Sequence, residues 1–397
     1  MFSRKGIANI GNTCYMASVL QFLVRCRCFQ EYILPQVDED KKDKKDENNK
    51  KYLRPDENII KALQNNNTDD SRRPNLIVAL HHLYAELFDY DEKAYAIDPY
   101  KFCRALKRKH PEWVTLQQND AHEFYMLLMN SLIQETGRRI ISKNVNFATY
   151  PPIKSRTSLL TASRPSEAAV HNRGEEHWKN EMSSCYSGLS EYFCGQYISQ
   201  MKCLSCGHTS HTFEIMSAIP LSCDSSTDGN GNPLPLSVKQ YLQKFFSDER
   251  IEGWKCERCC TTPSKGALKT YRIWKMPRVL VIMFVHRQSS MSGRRSCKIL
   301  PDETIDIHKF CVGPLARQAR SRSHDVYSIR SVVCHSGKSI DSGHYFCVAP
   351  MPGGGGRWCV YDDDLIYLRN DLFTQTSSSE KIYMLSYEYE YEYDSNH

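Results

Sequence analysis

The rhythm of apolar and polar positions changes about half way along this chain of 397 residues. In the first half, apolar residues recur at helical spacing. Met16, Val19, Leu20 and Leu23 stand at i, i+3, i+4 and i+7, and Leu76, Leu80, Leu83 and Leu87 at i, i+4, i+7 and i+11. Each set predicts a helix with a buried face, and Ala121, Phe124, Tyr125 and Leu128 predict a third. In the second half the apolar runs are short and rich in branched and aromatic residues: 278–285 (RVLVIMFV), 326–334 (VYSIRSVVC), 344–349 (HYFCVA) and 382–387 (IYMLSY). Turn residues separate these runs, which read as strands, as do residues 195–201 and 268–274. A helical half followed by a strand-rich half predicts an α+β domain whose chemistry lies where the two meet.

Several segments break the rhythm. Residues 38–51 (DEDKKDKKDENNKK) carry twelve charges, six of each sign, and read as an exposed loop. The polar run 65–75 reads as a second loop. Residues 151–180 begin with two prolines and show no sustained periodicity, so a flexible insertion is expected there. The link 352–356 (PGGGG) must turn sharply between two strands.

Composition narrows the class. With 41% hydrophobic and 11% aromatic residues the chain can fill a core, and a net charge of +6 is small for its length. No basic run interleaved with aromatics suggests a nucleic-acid groove. No stretch approaches the roughly 18 apolar residues of a membrane span, and MFSRKGIANIG lacks the apolar region of a signal peptide. The 17 cysteines therefore read as thiols and metal ligands in a reducing compartment, cytosol or nucleus, rather than as a disulfide framework.

Three groups of residues carry candidate chemistry. Gly11-Asn12-Thr13-Cys14 leads directly into the first helix, with Thr13 expected as its N-cap and Cys14 in its first turn. The positive end of a helix favours an anionic sulfur, and Gly11 allows the tight backbone turn that would expose it. His344 follows a glycine at the start of a strand, and Asp362 stands eighteen residues later. Neighbouring strands would let that carboxylate orient the imidazole, as a catalytic triad requires. Finally, Cys203 and Cys206 form one CxxC pair and Cys256 and Cys259 another, the inner cysteines fifty positions apart. Four thiolates at this spacing suit one tetrahedral structural zinc ion.

Taken together these residues resemble the ubiquitin-specific protease family. The family's cysteine box is matched by Gly6-Ile7-Ala8-Asn9-Ile10-Gly11-Asn12-Thr13-Cys14-Tyr15-Met16, then Ser18, Leu20 and Gln21. Its histidine box is matched by Tyr327, His335, Ser336, Gly337, Gly343, His344, Tyr345, Trp358, Tyr361, Asp362 and Asp363. Between them, Gln117-Gln118-Asn119-Asp120-Ala121-His122-Glu123-Phe124 resembles the family's acidic segment. The resemblance runs from about Gly6 to Tyr387 and departs at Ala17, at Asn119 and at Phe284-Val285-His286-Arg287, none of which touches the triad.

The resemblance implies a papain-like core of thumb, palm and fingers in a single catalytic domain over residues 1–397. It assigns a mainly helical thumb to 1–150, fingers with zinc knuckles to 190–275 and a palm with the histidine box to 276–390. It implies Cys14 as nucleophile, His344 as base, Asp362 as third triad member, Asn9 as side-chain donor to the oxyanion and Asp363 as an assistant. Asp120 and Glu123 would face the arginine-bearing tail of ubiquitin, and Cys203, Cys206, Cys256 and Cys259 would hold one structural zinc in the fingers. The implied function is a deubiquitinase acting on ubiquitin and ubiquitinated proteins. A silent ubiquitin-binding scaffold is disfavoured because no triad residue is lost, whereas a protease for another ubiquitin-like modifier stays open, since Asp120 and Glu123 suit any arginine-bearing tail. With Cys14 so near the start, no N-terminal targeting domain is expected, and selectivity is left to insertions or to an activating protein partner.

Overall fold

The computed structural model describes residues 5–34, 75–89, 95–113, 117–137, 167–223, 234–260, 262–285, 298–313, 326–339, 342–351, 356–370 and 380–389. The loops expected at 38–51 and 65–75, apart from Asn75, and the link expected at 352–356, apart from Gly356, lie outside the described residues.

The centre is an eight-stranded sheet. Along its main path Leu365–Arg369, Trp358–Asp362, Ser342–Pro350, Tyr327–Ser339, Glu380–Tyr389, Val279–Val285 and Ile219–Ser222 lie side by side, and Thr304–Ile305 pairs with the end of Tyr327–Ser339. Neighbours run antiparallel except Ile219–Ser222, which is parallel to Val279–Val285. The strand Val279–Val285 explains the unbroken apolar run in the sequence. Val279, Val281 and Met283 join the core on the helical side, while Leu280, Ile282 and Phe284 join a second core on the other face. A strand covered on both faces has no reason to alternate.

Helices cover the first face. Cys14–Val24 has every residue buried and packs against the strand Ser342–Pro350. Leu76–Phe88 buries Leu76, Leu80, Leu83 and Leu87, and Ala121–Thr136 buries Ala121, Phe124, Tyr125 and Leu128, the faces the spacing predicts. On the opposite face the helix Val238–Phe245 contributes Val238, Tyr241 and Leu242.

A separate four-stranded sheet, in the order Thr209–Met216, Gly195–Cys203, Ala267–Lys275, Glu249–Ile251, carries the four CxxC cysteines near one end. Here one expectation is corrected. Within the stretch 151–180 expected to be a flexible insertion, the structure places the start of an 18-residue helix, Glu167–Ser184, packed on Thr209–Met216. Its buried positions are Ala168, His171, Gly174, Glu175, Trp178 and Met182, a helical spacing filled mostly by residues that a hydrophobic pattern does not register. Glu175 is buried because it meets Lys275 at 3.0 Å, itself buried and beside the Trp178 ring. Gly174 is small because the Trp274 indole lies where a side chain would go, 2.7 Å from an added Cβ. Removing one partner of such an ion pair leaves a buried charge and typically costs about 3–5 kcal/mol. Among the described residues, no helix is long and apolar enough to cross a membrane.

Candidate active site

Cys14 opens its helix where the helical layer meets the large sheet. The chain reaches it through two left-handed residues, Gly11 at φ 126° and Asn12 at φ 53°. Thr13 holds the N-cap position, but its side chain makes no cap bond. Its hydroxyl instead accepts from the Ile10 N–H at 3.1 Å and donates to Asn9 Oδ1 at 3.1 Å. The expected capping side chain is thus used to shape the loop in front of the helix.

Asn9 organises that loop. Besides the Thr13 hydroxyl, its Oδ1 accepts the N–H groups of Gly11 at 3.1 Å and Thr13 at 3.0 Å. Three donors identify that atom as the oxygen and leave the amide nitrogen facing Asp363 Oδ2 at 2.8 Å. One N–H of the exposed amide is therefore taken and the other remains available.

His344 lies on the strand Ser342–Pro350, against which the Cys14 helix packs. The register Cys347↔Tyr361 makes His344 and Asp362 diagonal neighbours on paired strands, and His344 Nε2 bonds Asp362 Oδ1. That bond leaves Nδ1 for the thiol. The Asp362 carboxylate, followed by the Cys14 sulfur, raises the imidazole pKa from 6.5 to about 10, against the opposing effect of burial. Asp363 does not simply face the other way along the strand. It has left the strand in a left-handed turn at φ 52°, its Oδ2 lies 3.9 Å from His344 Nε2, and burial pushes its carboxyl up.

Two glycines let these pieces close up. A Cβ on Gly6 would lie 2.4 Å from the Asp363 carbonyl oxygen, and one on Gly343 would lie 2.3 Å from the His335 ring. The neighbouring Ile7 N–H donates to that same carbonyl at 2.8 Å, so the short strand Gly6–Ile7 holds the Asp363 turn in place. Gly6→Ala is expected to push Asp363 away from Asn9 and lower turnover by about tenfold or more. Steady-state kinetics on a folded variant check this, and unchanged turnover contradicts it.

Asp120 and Glu123 occupy the first turn of Ala121–Thr136, but differently. Asp120 is the N-cap, accepting from His122 N–H at 2.7 Å and Glu123 N–H at 3.2 Å, and it also accepts the Tyr383 hydroxyl. Glu123 is exposed. From the same segment, Gln118 Nε2 donates to the Gly343 carbonyl at 3.3 Å, bridging to the residue before His344. The sequence assigns Gln118 no role and does not single out Tyr383. The only trace of Tyr383 is its place in an ordinary strand pattern.

The four CxxC cysteines converge. Cys203 Sγ lies 3.9 Å from Cys259 Sγ and Cys206 Sγ 3.8 Å from Cys256 Sγ, with all four sulfurs within 4.8 Å of one another. A tetrahedral ion with metal–sulfur bonds of about 2.3 Å needs sulfurs about 3.8 Å apart, so the cluster is the right size for one metal ion. In each knuckle the N–H of the second cysteine points at the first sulfur at 3.5 Å. Cys260 stands apart, with its thiol on the Glu257 carbonyl at 3.3 Å.

A thiol at a helix start, an imidazole and a carboxylate bonded to that imidazole thus meet between a helical layer and a sheet. The sequence model of the family described as "Ubiquitin carboxyl-terminal hydrolase" matches residues 5–387, and the chain belongs to that family. It is 24% identical over 394 residues to ubiquitin carboxyl-terminal hydrolase 2 of Bos taurus, covering 96% of this chain and 54% of that protein. It is 25% identical over 394 residues to ubiquitin carboxyl-terminal hydrolase 21 of Mus musculus, covering 96% and 61%. The chain therefore spans little more than half the length of these relatives. Among solved structures, a chain of the SAGA Ubp8/Sgf11/Sus1/Sgf73 DUB module bound to ubiquitin aldehyde shares the fold. It superimposes with a TM-score of 0.62 at 16% identity, over 98% of this chain and 71% of that one.

Proposed function

We propose that this chain is a thiol-dependent deubiquitinase that hydrolyses the peptide or isopeptide bond after the C-terminal glycine of ubiquitin. The observation that carries the reading is the line from Cys14 through His344 to Asp362, in a member of this family with all three residue types present. Cys14 Sγ attacks the scissile carbonyl and His344 gives its proton to the leaving amine, forming a thioester and releasing the target. Water activated by His344 then hydrolyses the thioester and frees both the thiol and the ubiquitin carboxylate. Asp362 orients the imidazole and stabilises its charged form. The free N–H of Asn9 is assigned to the oxyanion, where one donor commonly contributes about 3 kcal/mol, and Asp363 holds that amide in place.

Asp120 and Glu123 are assigned to the modifier's tail, where a carboxylate suits a guanidinium. Cys203, Cys206, Cys256 and Cys259 are assigned to one zinc ion, which when bound ties the far end of the four-stranded sheet together and, with four sulfurs, leaves no open position for chemistry. On this reading residues 1–150 form the thumb, 190–275 the fingers and 276–390 the palm. The module in which the solved relative was studied supports an accessory protein partner here as well. A chain dependent on free thiols suits a reducing compartment, cytosol or nucleus. Hydrolysis of ubiquitin carrying a fluorogenic C-terminal amide tests the proposal. Turnover is expected, and ubiquitin binding without turnover would favour the silent scaffold.

A further inference from the structure

We propose that Tyr383 is a positioning residue that fixes the thumb helix on the palm sheet and holds Asp120 in the orientation needed to meet the modifier's tail. The inference rests on the function proposed above and adds to it a residue outside the Cys14–His344–Asp362 line.

Tyr383 lies in the strand Glu380–Tyr389, is only 4% exposed, and touches the first turn of Ala121–Thr136 in three ways. Its hydroxyl donates to Asp120 Oδ2. Its ring stacks on the His122 imidazole with centroids 3.9 Å apart and planes 20° from parallel. Its backbone carbonyl accepts from His122 Nε2 at 2.9 Å. Burial lowers the His122 pKa, so the ring stays neutral, with the carbonyl selecting the tautomer that carries its proton on Nε2. The Tyr345 ring closes the edge of the stack at 5.3 Å from the Tyr383 ring, and Tyr345 adjoins His344 in sequence.

The division of labour on Asp120 gives the contact its meaning. Oδ1 is occupied by the two N–H groups it caps, which places the carboxylate at the start of the helix but leaves the group able to tilt about Oδ1. The Tyr383 hydroxyl removes that freedom from the palm side. A carboxylate so held meets a tail without first ordering its own side chain, and pre-organisation of this kind appears as affinity. With the Gln118–Gly343 bridge, Tyr383 also ties the two sides of the cleft together, so the distance between the acidic turn and His344 is set before substrate arrives.

Tyr383→Phe is the clean test, because the ring, its stack and the backbone acceptor all remain and only the hydroxyl is lost. With the fluorogenic ubiquitin amide, KM is expected to rise about tenfold or more while kcat changes by about twofold or less, since binding rather than chemistry is affected. Asp120→Asn combined with Tyr383→Phe should lose little more than Asp120→Asn alone, because both act through one contact. The rate of Cys14 alkylation by iodoacetamide should be unchanged. A merely structural hydroxyl would instead lower the thermal midpoint and the active fraction, so kcat would fall at constant KM. That outcome, an unchanged KM, or additive losses in the double variant each overturns the assignment. A wild-type protein that neither binds nor hydrolyses the ubiquitin substrate overturns the functional reading itself, and this one with it.

Discussion

Replacement of Cys14 by alanine is expected to abolish hydrolysis of ubiquitin conjugates, and His344→Ala to reduce kcat by about 10⁴-fold or more. Losses of this order follow when one member of a nucleophile–base unit is removed, because the rest cannot act without it. Asp362→Asn should be milder and more informative. Asp362 is the main reason that the His344 imidazolium persists up to about pH 10, well above its ordinary 6.5. The raised value means that the stabilisation is fully present below about pH 6.5 and is lost as pH rises through about 10. Without the carboxylate the folded-state value moves back down, so the alkaline limb of the pH–rate profile should shift to lower pH. Asp363→Ala should leave that limb closer to its original place, since Asp363 lies 3.9 Å from the ring and acts mainly through Asn9. A pH–rate series separates the two, and a limb moved only by Asp363→Ala would reverse their roles.

The second large effect is expected at the four cysteines. Cys203→Ser or Cys256→Ser should lower stability and weaken ubiquitin binding, while the folded fraction keeps a Cys14 that reacts with iodoacetamide. The four-stranded sheet is long and narrow, and its cysteine end carries Cys203, Cys256 and Ala267 as buried apolar groups where a core would otherwise sit. A bound ion at such a site replaces core. In small zinc-finger peptides four-ligand binding is worth roughly 10–16 kcal/mol, and the loss of one thiolate forfeits a large part of it. Elemental analysis should give about one zinc per chain, removed by chelation together with a drop in the thermal midpoint. A metal-free protein with an unchanged midpoint and normal turnover contradicts the assignment.

Much of this architecture was legible in the apolar pattern. The helices beginning at Cys14, Leu76 and Ala121 bury the faces their spacing predicts, and the four strand runs of the second half lie in one sheet. The two strands read at 195–201 and 268–274 pair with each other, as Gly195–Cys203 and Ala267–Lys275. Sequence reading failed where burial is polar. The helix Glu167–Ser184 turns His171, Gly174 and Glu175 inwards, and partners distant in sequence, among them Lys275, Trp274 and Phe213, make those choices favourable. The site shows the same divide. Cys14, His344 and Asp362 stand out in the sequence because the proposed chemistry requires those residue types, and His344 and Asp362 do meet in the structure. The placing of the Asp363 turn against Gly6 and Ile7, its bond to Asn9 and the hold of Tyr383 on Asp120 depend on contacts between segments more than 250 residues apart, which no local spacing encodes.

The central claim is that Cys14 attacks the C-terminal carbonyl of ubiquitin, and one measurement addresses it most directly. Purified protein is incubated with ubiquitin bearing a C-terminal electrophile, and the modified residue is identified by peptide mapping. The account predicts a single covalent adduct on Cys14, lost in Cys14→Ala and much slowed in His344→Ala. An adduct on any other cysteine that persists in Cys14→Ala, or no adduct with a folded protein, would contradict it.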